Sequence, residues 1–241
     1  MYLSPAATLE SVSTDDLSDA PRSSWREQAV ARRLDPARAR AEDRVQRFLD
    51  AAFELMSDNT SGIEFTVQEV VERSGQSLRS FYQYFGGKQE LLLALFEETV
   101  LSTAERLRVQ MLEEKNAEDR LHRIVVEYYR VCRPARRKNE GKVNYTPAMA
   151  QFAQQLLTAH PDEAALAFSP LVDLFEEALD KAANEGSIRT DMSNKRIAGV
   201  ILEAIMFNVF SRTIAGAAVS KDDGDPAEEL FQLVLNGIAK R

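Results

Sequence analysis

Apolar residues recur every three or four positions along almost the whole chain, and no strand-like alternation persists. An α-helix repeats every 3.6 residues and a strand every two, so this spacing places the apolar residues on helix faces. The first strongly periodic stretch covers residues 42–57, where Val45, Phe48, Leu49 and Ala52 follow the pattern. The chain is therefore predicted to be all-α, with its first helix over about 42–57.

Two short helices are predicted next, joined by a tight turn. Thr66-Val-Gln-Glu69 has the form of a capping box, in which the threonine accepts from a first-turn amide and the glutamate reaches back. This helix ends near Gly75, which can adopt the positive φ of a turn. Ser77 can cap a second helix that runs through Phe85. Two short helices with a glycine-containing turn are the outline of a helix-turn-helix.

The second of these short helices has an unusual surface. Leu78 and Phe81 are predicted to point inward. No acidic residue occurs from Gln76 to Gln89, whereas a solvated surface helix more usually carries Glu and Lys pairs. An acid-free helix with exposed hydrogen-bonding groups suits a surface that faces phosphates.

A long helix is predicted from Lys88 to about Glu114, and the apolar spacing continues through the second half of the chain. Residues 197–214 are apolar on more than one face, so this helix must be covered both by its own core and by something else. Helices at about 193–215 and 226–240 are therefore expected to form a homodimer interface with their symmetry mates, as a four-helix bundle.

The net charge of −8 is unevenly distributed along the chain. Residues 1–21 carry four acidic residues and no basic one, which predicts a disordered acidic tail. Residues 22–41 form an arginine-rich extension with two open interpretations. It could be an arm or an extra helix that follows phosphates or enters the minor groove, an interpretation favoured for Arg38 and Arg40. It could also be an additional amphipathic helix with solvated arginines.

The residue counts exclude several classes of protein. One cysteine and two histidines rule out a disulfide framework, a cysteine-rich zinc module and a histidine metal cluster, so no metal and no cofactor are expected. No run approaches about 18 apolar residues, and the N-terminus does not resemble a secretory signal, so a cytoplasmic protein is expected. The sequence also lacks a phosphate loop and a core-facing carboxylate pair with a histidine, so it is not expected to be an enzyme.

The segment Ser77-Leu-Arg-Ser-Phe-Tyr-Gln-Tyr-Phe85-Gly-Gly-Lys88-Gln-Glu-Leu91 resembles the recognition-helix signature of the TetR family of one-component transcriptional regulators. In that family a tyrosine, and a phenylalanine three residues later, precede a small-residue break and a lysine. Here these residues are Tyr82, Phe85 and Lys88. The close resemblance covers about residues 44–98, and the C-terminal half resembles the family only in outline.

The resemblance implies a homodimer whose heads enter successive major grooves of an operator, and a C-terminal domain that binds an effector. Residues 42–90 would be the helix-turn-helix head, and residues 91–241 the ligand-binding and dimerisation domain. Gln76 and Leu78 depart from the residues usual at their positions, which affects the expected base-reading pattern and not the fold.

Arg79 is the first candidate for a base contact, because a guanidinium can donate two parallel hydrogen bonds to guanine O6 and N7. Lys88 begins the long helix, where its charge and the free amides suit a phosphate. Tyr82 is favoured over Tyr84 as the tyrosine that faces DNA. The alternative for each residue is an ordinary surface, capping or core side chain. The predicted DNA contacts are Arg38, Arg40, Thr66, Gln76, Ser77, Leu78, Arg79, Ser80, Tyr82, Gln83, Tyr84 and Lys88.

The aromatic and sulfur-containing residues of the second half are the candidates for effector binding. The alternative is that they form the core, which is the commoner role of apolar residues at helical spacing. Polar groups embedded in these faces favour a cavity, because a buried polar group needs a partner. The predicted ligand-binding residues are Tyr128, Tyr129, Cys132, Met149, Phe152, Phe168, Phe175, Met206, Phe207, Asn208 and Phe210.

The function predicted from these features is a ligand-responsive, sequence-specific DNA-binding transcriptional regulator. It is predicted to be a repressor that a small, largely apolar effector releases from an operator with palindromic half-sites. The alternative is a helical small-molecule-binding or protein-interaction module that does not bind specific DNA. The sequence leaves the effector and the operator open.

Overall fold

Every regular element in the described part of the chain is a helix, which confirms the all-α prediction. The computed structural model describes residues 25–58, 63–133, 147–214 and 224–239. The predicted acidic tail, residues 1–21, lies outside these ranges. The chain divides into two compact units, and the boundary lies between Asp43 and Arg44.

The first helix, α1 (Trp25–Asp58), begins far earlier than predicted. The expected start at residue 42 is wrong, because the helix continues through the arginine-rich segment and includes Pro36. A proline inside a helix removes one backbone donor but does not have to end the helix. The arginine-rich extension is therefore helical over its described residues, which both of its interpretations allow.

The head is formed by residues 44–58 of α1 together with α2 (Val67–Ser74) and α3 (Leu78–Tyr84). Its core includes a cluster of three buried phenylalanine rings that pack against one another. Phe48 lies edge-on to Phe81 at 5.4 Å and to Phe85 at 6.1 Å between ring centroids. Such edge-to-face pairs stabilise a core beyond the area that they bury.

The long helix α4 (Lys88–Leu112) leads from the head into the C-terminal domain. The helices that follow are α5 (Ala117–Cys132), α6 (Pro147–Ala159), α7 (Pro161–Asn184), α8 (Asn194–Ile214) and α9 (Pro226–Ile238). Phe96 of α4 packs edge-on against Phe152 of α6 and Phe168 of α7, at 5.9 and 5.1 Å between centroids. Thus α4 shares its core with both helices.

Helix α8 presents apolar residues on two sides. Its inner side buries Ile201 and Ile205, while Val200 and Phe207 are 55% and 47% exposed on the other. An exposed apolar stripe of this kind agrees with the expectation that something else covers the helix. Within the described ranges, no helix combines the length and the apolarity needed to cross a membrane.

Candidate nucleic-acid interface and effector cavity

The start of α2 is fixed by the predicted capping box. The Thr66 hydroxyl accepts from the Glu69 amide at 3.2 Å, and the Thr66 amide donates to Glu69 Oε2 at 2.6 Å. The same hydroxyl donates to Glu69 Oε2 at 2.8 Å. These bonds, from the Thr66 backbone first and its hydroxyl second, lower the pKa of Glu69. A phosphate contact by the Thr66 hydroxyl would therefore have to break its bond to Glu69.

The turn between α2 and α3 depends on Gly75, whose φ of 66° is left-handed as predicted. The Gly75 amide donates to Glu72 O and the Gln76 amide to Val71 O, each at 3.3 Å. These bonds satisfy carbonyls that the end of α2 would otherwise leave without partners. The turn thereby sets the direction in which α3 leaves α2.

Helix α3 begins at Ser77, whose hydroxyl accepts from the Ser80 amide at 3.1 Å. Phe81 is fully buried, as predicted. Leu78 is 43% exposed, so the prediction that it points inward is wrong. Position 78 lies three residues before Phe81, at the first turn, and the core of the head does not extend to its side chain. Leu78 therefore belongs to the outer surface of α3.

The outer surface of α3 also carries Arg79, Tyr82 and Gln83, all exposed. Tyr82 is 57% exposed, whereas Tyr84 is half-buried and packs against the core. Arg79 has no ion-pair partner among the described residues, so its five donors face solvent. This acid-free surface could donate hydrogen bonds to phosphates and to base edges.

Lys88 occupies a more enclosed position than a surface lysine. Its ammonium group donates to the Ile63 and Phe65 carbonyls, the latter at 2.5 Å, and lies 4.5 Å from the centroid of the Phe65 ring. Burial lowers the pKa of Lys88, and the carboxylates of Glu69 and Glu64 oppose that shift. Lys88 therefore ties the start of α4 to the segment before α2, and its predicted phosphate contact would use the remaining N–H.

Replacing Lys88 by methionine keeps most of the stem but removes two charge-assisted hydrogen bonds. We expect the free energy of unfolding to fall by about 1–3 kcal/mol, because the two carbonyls lose their donor while the cost of burying the ammonium disappears. Urea unfolding followed by circular dichroism measures this change. Lys115→Met, at an exposed lysine, is the control. Equal stability of the two variants would contradict the anchoring role.

The two candidate arginines of the extension lie on the described part of α1. Arg38 Nε donates to Glu42 at 2.7 Å, and Arg40 Nε donates to the Pro36 carbonyl at 2.9 Å. Both side chains are exposed. These two bonds are local to the helix, and the contact of both arginines with DNA stays a prediction.

The predicted ligand-binding residues separate into three groups. Most are buried in the core of the C-terminal domain: Tyr128, Tyr129, Cys132, Met149, Phe152, Phe175 and Phe210. The Tyr128 ring packs edge-on against Phe175 at 5.9 Å, and its hydroxyl lies beside the Cys132 thiol. Burial raises the pKa of Cys132 to about 12. These residues have the contacts of a packed core.

Two other candidates line an open cavity of about 500 Å³ between α6, α7 and α8. They are Phe168 and Met206. Ligand pockets typically measure about 300–1,000 Å³ and are mainly apolar with a few polar groups. The polar groups here are Ser169, Asp173, Lys195 and Glu203, none of which is among the residues predicted from the sequence.

The last two candidates, Phe207 and Asn208, are neither buried in the core nor part of the cavity lining. Phe207 is on the exposed side of α8, facing away from the core that holds Met206 and Phe210. Asn208 is exposed rather than embedded, although its Oδ1 accepts from the Tyr129 hydroxyl at 3.3 Å. Helical spacing could not distinguish the inner from the outer side of α8, because both sides are apolar.

Three polar residues of α4 were also missed. Thr103, Arg106 and Gln110 follow one another at intervals of three and four residues, so their side chains share one face of the helix. Thr103 is fully buried, and Arg106 and Gln110 are half-buried. A signal was present in the sequence, since Thr103 and Gln110 continue the heptad positions of Phe96 on an otherwise apolar face.

Comparison with known proteins gives a family match over the head and the start of α4. Residues 48–95 match the family model described as bacterial regulatory proteins, tetR family. No curated protein sequence gave a significant match.

Solved structures share the fold over most of the chain. FadR from Bacillus subtilis in complex with stearoyl-CoA has a TM-score of 0.63 at 17% identity, covering 80% of this chain and 98% of that one. FadR from Thermus thermophilus, a TetR-family transcriptional repressor in complex with lauroyl-CoA, has a TM-score of 0.59 at 23% identity, with coverages of 82% and 96%. The reduced form of NemR from E. coli has a TM-score of 0.59 at 17% identity, with coverages of 83% and 98%.

These similarities agree with the residues themselves. The matched segment contains the capping box, the left-handed glycine turn and the acid-free α3, and the solved structures share the helical C-terminal domain as well. Residues 48–95 thus have the sequence pattern of the tetR family of bacterial regulatory proteins, and the chain as a whole shares its fold with solved regulators that include a TetR-family member.

Proposed function

We propose that the protein is a homodimeric, sequence-specific DNA-binding repressor that a small, largely apolar effector releases from its operator. The observation that carries this proposal is the outer surface of α3. It is exposed, lacks acidic residues and holds Arg79 without an ion-pair partner among the described residues. An exposed guanidinium without an ion-pair partner is available for a bidentate contact with guanine.

Dimer formation is supported by the exposed apolar stripes of α8 and α9. Val200, Ala204 and Phe207 follow helical spacing on the outer side of α8, and Leu233 of α9 is 72% exposed. Pairing of these stripes around a two-fold axis would remove them from water. In a dimer the two recognition helices could reach major grooves one turn apart, about 34–36 Å.

Replacing Phe207 by glutamate should weaken the dimer by at least about tenfold, because the two-fold axis would bring a charge from each protomer into an apolar interface. Sedimentation velocity over a concentration series measures the dissociation constant. Val109→Glu is the control, since Val109 is an exposed apolar residue on α4. A Phe207→Glu protein that dimerises like wild type would place the interface elsewhere.

The effector part of the proposal is supported by the cavity between α6, α7 and α8 and by the position of α4. This helix begins at Lys88, which is bound to the head, and shares the core of the C-terminal domain through Phe96. A ligand that favours one position of α4 would therefore change the separation of the heads. A coupling of about 1–3 kcal/mol is typical of such linked sites. Two relatives of similar fold were solved with acyl-CoA molecules, so acyl-CoA thioesters are suitable first ligands to test.

Selection of bound duplexes from a randomised pool tests the DNA-binding proposal directly. The expected result is enrichment of a palindromic sequence whose half-sites are one or two helical turns apart. The recovered duplex then serves as the operator in titrations with and without decanoyl-CoA. Enrichment of no sequence, with only salt-sensitive binding of equal strength to all duplexes, would overturn sequence-specific recognition.

A further inference from the structure

Three polar groups of α4 are shielded from solvent and have no hydrogen-bond partner among the described residues. They are the Thr103 hydroxyl, one terminal nitrogen of the Arg106 guanidinium and the Gln110 side-chain oxygen. We call this set the α4 polar stripe. The three side chains lie on one face of the helix, within about 11 Å along its axis.

The charge of Arg106 makes this stripe unusual. The Arg106 side chain is half-buried, and a shielded cationic donor without a partner costs more free energy than a neutral one, so such donors are ordinarily paired. Positions 102, 103, 109 and 110, one helical turn away on either side, hold no acidic residue. By contrast, Arg108 on another face of α4 pairs with Glu177. Arg106 can therefore donate hydrogen bonds to an oxyanion. Neither its own helix nor the other described residues supply one.

The stripe continues a face of α4 that is apolar closer to the head. Thr103 and Gln110 lie one and two heptads beyond Phe96, which contacts Phe152 and Phe168. Arg106 is about 15 Å along the helix axis from Phe96. This distance is similar to the length of an extended chain of about ten carbon atoms. The face thus combines aromatic contacts at one end with hydrogen-bonding groups and a positive charge at the other.

We propose that the α4 polar stripe binds the anionic head group of an amphipathic ligand whose apolar chain extends towards Phe96. Arg106 donates to an oxyanion, the Thr103 hydroxyl donates a second bond, and the Gln110 amide donates a third after rotation of its amide plane. This inference rests on the proposed function, since it assigns a chemical class to the effector. The α4 polar stripe is not part of the lining of the cavity between α6, α7 and α8, but Phe168 both lines that cavity and packs against Phe96. The shared chemistry is an oxyanion on an apolar chain, either a carboxylate or a phosphate.

Three probes with one chain length test the head group: decanoate, decyl phosphate and decanamide. Their dissociation constants for the full-length protein are measured by isothermal titration calorimetry, below the critical micelle concentration of each probe. We expect at least one of the two anions to bind about ten- to a hundredfold more tightly than decanamide, because a charge-assisted hydrogen bond is lost with the neutral head. The two anions separate a carboxylate ligand from a phosphate ligand.

Variants then connect the preference to the stripe. Arg106→Met should reduce the anion preference to within about threefold of decanamide. The unliganded protein should keep or gain melting temperature, since a half-buried charge without an ion-pair partner among the described residues has been removed. Thr103→Val, which has nearly the same shape, should weaken anion binding about threefold to tenfold. Arg108→Met is the matched control: it should lower the melting temperature by losing its bond to Glu177 but leave the anion preference unchanged.

Each outcome decides the proposal. If both anions bind no more tightly than decanamide, or if the Arg106→Met protein retains the anion preference, the α4 polar stripe does not bind an oxyanion. A melting temperature of Arg106→Met well below that of Arg108→Met would also contradict it, because Arg106 would then be a stabilising core residue. Failure of the proposed function would give a different result. The anion would bind to the wild-type protein and not to Arg106→Met, yet the wild-type protein would stay bound to the selected operator when the anion is added.

Discussion

Replacement of Arg79 by alanine is expected to abolish most sequence-specific DNA binding while leaving the fold intact. Arg79 is exposed on α3 and has no ion-pair partner among the described residues, so truncation removes no intramolecular salt bridge there. A bidentate contact with a base pair contributes about 1–3 kcal/mol of discrimination, and a dimer makes it twice. The loss should therefore be about 2–6 kcal/mol, which corresponds to roughly a 30-fold to 10⁴-fold weaker affinity.

Mobility-shift titrations with the selected operator measure this loss, and operators with single base changes identify the base that Arg79 contacts. At that base pair the variant should no longer distinguish the four possibilities. Arg73→Ala is the control, because Arg73 in α2 already binds Asp58 at 3.0 Å and Glu54 at 3.5 Å. Equal affinity and equal base preference in wild type and Arg79→Ala would show that Arg79 does not read the operator.

Replacement of Phe81 by alanine is expected to unfold the head. The Phe81 ring is completely buried between Phe48 and Phe85, at 5.4 Å from each ring centroid, and supplies the inner side of a helix of only seven residues. Truncation of a buried phenylalanine costs about 3–5 kcal/mol, since the lost contacts leave a cavity that the core fills only in part. This is a large fraction of the stability of a small domain.

Urea unfolding and operator binding should both report the Phe81→Ala change. Tyr82→Ala, one residue away, separates folding from recognition: its ring is more than half exposed, so we expect a loss below about 1 kcal/mol in stability together with weaker DNA binding. If Phe81→Ala were to unfold at the wild-type urea concentration, the aromatic cluster would not be what holds α3 in place.

The sequence predicted the helix-turn-helix well because its signals are local. A capping box needs only Thr66 and Glu69, and a left-handed turn needs only a glycine at position 75. The start of α1 was missed because charged residues and Pro36 obscure the apolar period before residue 42, although the helix continues through them. Local patterns thus gave the ends of α2 and α3 but not the true beginning of α1.

The effector site was less predictable, for a physical reason. Apolar residues at helical spacing line a cavity and fill a core with the same pattern, so the sequence could not separate Phe168 from Phe175. Only the packing of three helices distinguishes them: Phe168 borders the cavity, and Phe175 is sealed against Tyr128. The α4 polar stripe was missed for a related reason, because threonine, arginine and glutamine are ordinary on the surface of a long helix. The heptad spacing of Thr103 and Gln110 from Phe96 becomes informative only together with the burial of their polar atoms.

The chemical reactivity of Cys132 reports on opening of the C-terminal domain. The chain has a single sulfhydryl, and burial raises the pKa of this thiol, so the closed protein holds little of the reactive thiolate at neutral pH. Electrophiles and oxidants can therefore reach this sulfur at an appreciable rate only when α5 separates from its neighbours. The rate at which a thiol reagent modifies Cys132 therefore measures how often that separation occurs. A compound that stabilises the closed domain should lower this rate.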